Sequence, residues 1–415
     1  MPPNESSSPV SDDFSQIEAA IAAIAAGKIV IVLDDEDREN EGDFICAAES
    51  LTPDIVNFMI TEGRGMLCVP MLPENAERLR LEPMKASDAT RVLHTAFAIT
   101  VDHHTVKTGI TTEERCRTIH ALVDPKTQPD EFVTPGHINP LIAKAGGVLR
   151  RAGHTEATVD LVRLAGLKPV GVLIEILNEQ GDRASSSELQ SLAAKHNLPM
   201  ITIEQLIRYR RRREQLVYRT AEAELPTRRG PFQLIGYGVK YESQEPVALV
   251  MGDLSSIESP LVRMHSSCFT GDVIDSLRCD CGDQLNLALD MIAKEGCGVL
   301  VYLPQEGRGI GLAEKIKAYA LQDDGLDTVQ ANLALGYKAD PRDYGVGIQI
   351  LKDLGLSKVR LMTNNPKKTD AFIYGGFELE ADQVPITPTV NEHNANYLRT
   401  KREKMGHSLP EQEES

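Results

Sequence analysis

Apolar residues near the start of the chain recur at helical spacing. Ile17, Ile21 and Ile24 share one face of the stretch Gln16 to Gly27, and Gly27 ends it. Lys28 to Leu33 then reads as a short, continuously apolar strand, the pattern of a strand buried on both faces. Strand and helix signals alternate to about residue 207, which predicts a layered α-β-α domain of the α/β (α+β) class. The pattern breaks at Arg208-Tyr209-Arg210-Arg211-Arg212-Arg213 and stays polar to Arg229-Gly230. From Phe232 a second series of strands and helices, a mixed α/β domain, continues to about residue 385. The expected division is a disordered start over 1–14, a domain over 15–205, a basic linker over 206–229, a domain over 230–400 and a disordered tail over 401–415.

Composition narrows the class. Of the 415 residues, 41% are hydrophobic and 25% charged, which excludes a wholly disordered chain. The longest apolar stretch, Ala19 to Leu33, is interrupted by Gly27-Lys28 and does not predict a membrane span. A net charge of −17 argues against nucleic acid as a partner and makes the isolated arginine run a solvated helix end or linker. The first thirteen residues lack the basic start and apolar run of a secretory signal. Seven cysteines, an odd number, fit a reducing compartment, and a cytoplasmic protein is expected. Cys46, Cys68, Cys116 and Cys297 lie singly in apolar surroundings and read as small buried hydrophobes.

The first apolar strand runs directly into residues 34–43, of which seven of ten are acidic. Carboxylates gathered beyond a buried strand repel one another unless a cation neutralises them, and hard oxygen ligands suit Mg²⁺. Further along, Arg150 to Glu156 leads into a helix bearing Ala157, Leu161, Leu164 and Ala165 on one face, with Thr155 the expected N-cap. Arg151 at a helix start suits a phosphate ester, and His154 can ligate a metal. Glu175 is the one carboxylate in the apolar run Val170 to Leu177, so it is either ion-paired or a working acid/base.

Residues 37–43 (Asp-Arg-Glu-Asn-Glu-Gly-Asp), 134–137 (Thr-Pro-Gly-His) and 150–156 (Arg-Arg-Ala-Gly-His-Thr-Glu) resemble 3,4-dihydroxy-2-butanone 4-phosphate synthase, over about residues 15–205. The resemblance implies conversion of ribulose 5-phosphate to the four-carbon phosphate and formate, with Mg²⁺ or Mn²⁺. It implies Glu39 and His154 as metal ligands. Arg38, Glu39, Asp43, Arg151, Ala152, Gly153, His154, Thr155 and Glu175 would bind the sugar phosphate, with His137 and Glu175 the acid/base pair. The segment Asp102 to Ile110 departs from the family's composition while keeping its Thr-Gly-Ile end. A metal role for His103 or His104 is the lesser reading there.

In the second half, Cys268, Cys279 and Cys281 have metal-ligand spacing. Three thiolates without an evident fourth ligand match a catalytic zinc site, and a structural knuckle completed by His265 is the rival. Gly298 to Leu303 reads as a strand. It leads through the glycine-rich loop Pro304 to Gly311 to a helix with Leu312, Ile316 and Tyr319 on one side. Such a loop before a helix can cradle phosphate, and Arg308, Arg342 and Lys368 add cations.

These stretches, with residues 263–268, 278–285, 339–345 and 363–368, resemble GTP cyclohydrolase II over about residues 230–390. By that resemblance Cys268, Cys279 and Cys281 would bind Zn²⁺. Arg263, Met264, His265, Ser266, Ser267, Gln284, Glu306, Gly307, Arg308, Thr328, Thr363 and Lys368 would bind GTP. Asp340 would accept a proton, and Arg342 would act on the α-phosphate as nucleophile or by charge stabilisation. The two families in this order are similar to a bifunctional family of riboflavin biosynthesis, which also implies a homodimer with the first site near the subunit interface. Ser267 stands where the second family usually has Glu, and the alternative reading is an enzyme that retains only one activity.

Overall fold

The computed structural model describes residues 9–35, 38–84, 95–337, 344–365, 368, 379–387, 391, 394, 397, 399 and 402. The chain divides into two compact units, residues 1–213 and 214–415.

In the first unit seven strands form one mixed sheet. They are β1 (Val30–Leu33), β2 (Gly42–Ala47), β3 (Cys68–Met71), β4 (Val101–His103), β5 (Phe132–Ile142), β6 (Gly171–Glu175) and β7 (Met200–Thr202), in the order β4-β5-β3-β6-β2-β1-β7. The helices are α1 (Pro9–Ala25), α2 (Pro53–Phe58), α3 (Pro73–Arg78), α4 (Thr112–Val123), α5 (His154–Leu164), α6 (Ser186–His196) and α7 (Ile203–Arg213). Successive strand residues feed opposite cores, because side chains alternate across a pleated strand. Ile31, Phe44 and Cys46 pack with Val56, Ile119 and Leu189 of α2, α4 and α6. Val30, Val32 and Ile45 pack with Ile17, Leu161 and Leu206 of α1, α5 and α7. The expected α-β-α layering follows from that alternation, and Gly27 takes the positive φ (+72°) that the end of α1 requires.

Three expectations change. Helix α1 begins at Pro9, inside the stretch read as disordered; residues 1–8 and most of the tail from 401 lie outside the described residues. The segment 206–229 is helix and strand: α7 runs to Arg213 and β8 (Val217–Thr227) follows it. The basic run is the end of α7, with Arg208 and Arg213 exposed as expected of a helix end, but Arg210 is buried against Asp160 because α7 packs on the loop before α5. Helix α5 starts one residue before Thr155, with Gly153 in extended conformation as its N-cap.

The second unit is a second seven-stranded sheet. Its strands are β8, β9 (Gly230–Val239), β10 (Val247–Met251), β11 (Leu261–Ser266), β12 (Gly298–Leu303), β13 (Lys358–Met362) and β14 (Glu380–Val384), in the order β14-β13-β11-β12-β10-β9-β8. Helices α8 (Cys281–Glu295), α9 (Leu312–Asp323), α10 (Thr328–Ala334) and α11 (Gly345–Asp353) accompany it. Ile292 and Ala288 of α8 cover one face, and Ile348 and Leu351 of α11 cover the other. No helix among the described residues is long and apolar enough to cross a membrane.

Candidate active sites

In the first unit the acidic loop closes on Asp34. Its carboxylate accepts from the backbone N–H groups of Glu39 (3.1 Å) and Glu41 (2.8 Å), while Arg38 donates to it at 2.7 Å. This folds the loop back, and one ligand atom each of Asp34, Glu39 and His154 comes within 4.8 Å of the others. His154 donates from Nε2 to the Val32 carbonyl at 3.1 Å, leaving Nδ1 as the unprotonated nitrogen of the neutral ring. Burial holds its pKa down to about 4. Asp43 and Glu175 are directly opposite one another in the antiparallel β2–β6 pair. Burial, and then the Glu175 charge, push the Asp43 carboxyl well up, and Asp43 Oδ1 is buried without a hydrogen-bond partner. A buried orphan oxygen beside two more carboxylates and an imidazole fits a hard divalent cation. Asp34, which sequence reasoning passed over as one more charge in the run, is the residue that organises the loop.

The phosphate-binding candidates converge at the start of α5. A Cβ on Gly153 would sit 2.5 Å from Arg151 Nη1 and 3.1 Å from Arg38 Nη2, so both guanidinium groups reach the backbone at the start of α5. Arg151 is aimed by Glu156 (2.8 Å), and Ala152, Gly153 and Thr155 supply helix-start backbone. Glu175 accepts from the Met66 N–H at 2.7 Å. His137 lies on β5, two strands from Glu175, and its side chain is exposed. Asp102 of β4 holds it, at 2.6 Å to Nδ1 and 3.0 Å to the backbone N–H, an orienting partner that the sequence did not single out.

In the second unit Cys268, Cys279 and Cys281 gather with one sulfur each within 4.8 Å of the others. The Cys268–Cys279 Sγ separation is 3.7 Å. A tetrahedral zinc with Zn–S bonds of about 2.3 Å has an S–S edge of about 3.8 Å, so the thiols fit that ion. A Cβ on Gly271 would lie 3.0 Å from Cys279 Sγ and 3.2 Å from Cys268 Sγ, so the backbone at Gly271 packs closely against the thiols. Cys279 and Cys281, and then Lys315, hold the Cys268 thiol well below the usual range, while Cys268 pushes Cys279 up to about 11. Asp272 fixes the first cysteine by accepting from its backbone N–H (2.9 Å), from the Tyr302 hydroxyl (2.9 Å) and from His265 Nε2 (3.0 Å). His265 therefore binds Asp272 and is not grouped with the three thiols, which goes against the knuckle reading.

A cavity opens to solvent beside the cysteines, lined in part by Arg263, His265, Ser266, Ser267, Gln284, Gly307, Arg308, Thr328, Thr363 and Lys368. Met264 contributes only its carbonyl, which accepts from Lys368 Nζ at 2.7 Å; its side chain is in the core. Glu306 accepts from the Phe269 N–H at 2.6 Å and from Lys315 at 2.8 Å. On α9, Leu312 and Ile316 are exposed and Lys315 and Ala318 are buried. Of the apolar face expected there, Leu312 and Ile316 are turned outward while Tyr319 lines the cavity beside Lys315, the buried lysine that the sequence did not single out. Asp340 and Arg342 lie outside the described residues.

Two α/β units, one with a carboxylate–imidazole cluster beside paired guanidinium groups and one with a three-thiol centre in a cavity lined by arginine and lysine, define a fused enzyme with two separate sites for small-molecule substrates. The family model of 3,4-dihydroxy-2-butanone 4-phosphate synthase matches residues 18–209, and that of GTP cyclohydrolase II matches residues 218–385. The chain belongs to the RibBA family of riboflavin biosynthesis proteins. It is 54% identical over 397 residues to the RibBA protein of Bacillus mycoides, covering 95% of this chain and 99% of that one. The Bacillus cytotoxicus protein is 52% identical over the same coverage. Among solved structures, RibBX from A. baumannii, a two-domain 3,4-dihydroxy-2-butanone 4-phosphate synthase, matches with a TM-score of 0.67 and 37% identity. That match covers 90% of this chain and 99% of that one. The chain is a bifunctional enzyme of riboflavin biosynthesis with lyase and hydrolase activities.

Proposed function

We propose that the first unit converts ribulose 5-phosphate at the Asp34–Glu39–His154 cluster, and that the second opens GTP at the three cysteines. The observation that supports this most is the pairing, in each unit, of a metal-ligand set with cationic groups suited to phosphate. A Mg²⁺ or Mn²⁺ ion held by Glu39 and His154 would acidify the C–H beside the substrate ketone. Arg38 and Arg151 hold the phosphate, and Thr155 and Gly153 offer backbone donors. Glu175 takes a proton at its carboxylate. His137, held at Nδ1 by Asp102, moves a second proton through Nε2. His137 and Glu175 stand two strands apart, and the homodimer implied by the resemblance is the arrangement in which a subunit interface borders this site.

In the second unit, Zn²⁺ at Cys268, Cys279 and Cys281 would supply Lewis-acid activation of a water for attack on C8 of the guanine. Arg308 and Lys368 face the polyphosphate, and Gln284 and Thr363 orient the nucleotide. Asp340 and Arg342 keep the roles that the resemblance gives them. Cysteines that are all free of disulfides support a reducing, cytoplasmic setting. The test is Glu39→Gln and, separately, His154→Ala, assayed on the full-length protein with Mg²⁺. Each is expected to stop formate release from ribulose 5-phosphate and spare GTP turnover. Full ribulose 5-phosphate activity in either folded variant contradicts the assignment.

A further inference from the structure

A third ligand cluster lies outside both sites. His103 and His104, at the end of β4, face Glu131 in the short helical turn that precedes β5. One ring nitrogen of each histidine and one oxygen of Glu131 lie within 4.8 Å of one another. We propose that these three residues form a surface site for a divalent transition-metal ion of the zinc class.

Three features of the cluster carry this. His103 Nε2 is 3.6 Å from Glu131 Oε2. That is too long for a hydrogen bond, and it is near the edge of about 3.3 Å expected between N and O ligands around zinc with bonds of about 2.0–2.1 Å. Each ligand is also held from behind. Glu131 Oε1 accepts from the Gln128 N–H at 2.7 Å, so Oε2 is the oxygen turned to the histidines. His104 donates from Nδ1 to the Glu131 carbonyl at 3.0 Å, which leaves Nε2 with the ring's lone pair. His103 Nδ1 lies 2.7 Å from Thr105 Oγ1 and 3.4 Å from the Thr105 backbone nitrogen, so Thr105 holds that side of the ring and Nε2 is the nitrogen turned toward Glu131 Oε2. The two rings stand 4.5 Å apart and tilted by 38°, close enough for one ion to meet both.

The donor set is two imidazoles and one carboxylate, which favours zinc, nickel or copper over Mg²⁺. His104 is exposed, so the remaining coordination positions are open to water. Side chains alternate along β4, so His103 points to the face opposite Asp102, whose carboxylate holds His137. An ion here would tie β4 to the start of β5 directly behind the residue that orients His137.

The experiment measures zinc per chain. Full-length wild type, His104→Ala and Glu131→Gln are stripped with chelator, dialysed against buffered free Zn²⁺ and analysed by atomic emission. Wild type is expected to retain one zinc per chain more than either variant. The zinc lost on Cys279→Ser should be the same in all three backgrounds. Ribulose 5-phosphate turnover with Mg²⁺ and no zinc should be unchanged in both variants, showing them folded. Equal zinc contents in wild type and both variants, or a loss confined to one variant, overturns the proposal.

Discussion

Lys315 Nζ lies 3.1 Å from Cys268 Sγ and 2.8 Å from Glu306 Oε1, deep in the wall of the second cavity. Burial works against its charge, but Glu306 and then Cys268 raise its pKa above the ordinary value, so it remains an ammonium. A cation donating to a ligand sulfur reduces the charge that three thiolates would otherwise place together. Lys315→Met should therefore weaken zinc retention and GTP turnover by roughly 10–100-fold. Ribulose 5-phosphate turnover should not change. Zinc content against a graded chelator, measured beside both activities, checks this.

The contact of Asp102 with His137 Nδ1 makes a second prediction. Asp102→Asn keeps the shape but loses the charge that holds the ring with Nε2 free. We expect kcat for ribulose 5-phosphate to fall by roughly 10–100-fold with KM little altered. A comparable rise in KM with kcat unchanged would assign Asp102 to substrate binding.

A third concerns pH. His154 is held at about 4 by burial, against an ordinary value of 6.5. The unfolded chain takes up this proton as pH falls below about 6.5 while the folded chain does not, so stability present above 6.5 is lost progressively toward pH 4. The contribution is on the order of 3 kcal/mol. Asp43, raised by burial, acts in the opposite direction in both proteins and largely drops out of a comparison. Urea unfolding without divalent cations, between pH 7 and 4.5, should show wild type losing more stability than His154→Gln.

Arg210 gives a fourth. Its guanidinium donates to Asp160 and to the Gly146 carbonyl, both at 2.7 Å, and Asp160 in turn accepts from the Val148 N–H at 2.8 Å. Burial pushes the Asp160 carboxyl up and Arg210 counters it. Arg210→Ala removes the buried partner of that carboxyl and leaves it only the Val148 N–H and the more distant, half-exposed Arg163, at a cost of about 3 kcal/mol. On heating, ribulose 5-phosphate activity should fail at lower temperature than in wild type, with the GTP activity unmoved.

The strands that carry both sites were legible because their residues are apolar without interruption, as in Ile29 to Leu33 and Gly298 to Leu303. The cysteine spacing and the acidic loop announced their chemistry by residue type. What stayed hidden was set by packing. Nothing local distinguishes Arg210, buried on Asp160, from its solvated neighbours. Lys315 reads as an ordinary helix lysine until α9 is placed with Leu312 outward. Asp34 and Asp102 act through hydrogen bonds to residues that the fold, and not the local pattern, brings to them.

The central claim is that two independent sites share one chain. Formate release from GTP and from ribulose 5-phosphate, measured in parallel on purified wild type and Cys279→Ser, tests it most directly. Wild type is expected to release formate from both substrates, and Cys279→Ser to lose formate from GTP with the ribulose 5-phosphate reaction unchanged. Loss of both in a folded Cys279→Ser protein, or full GTP activity in that variant without zinc, would contradict it.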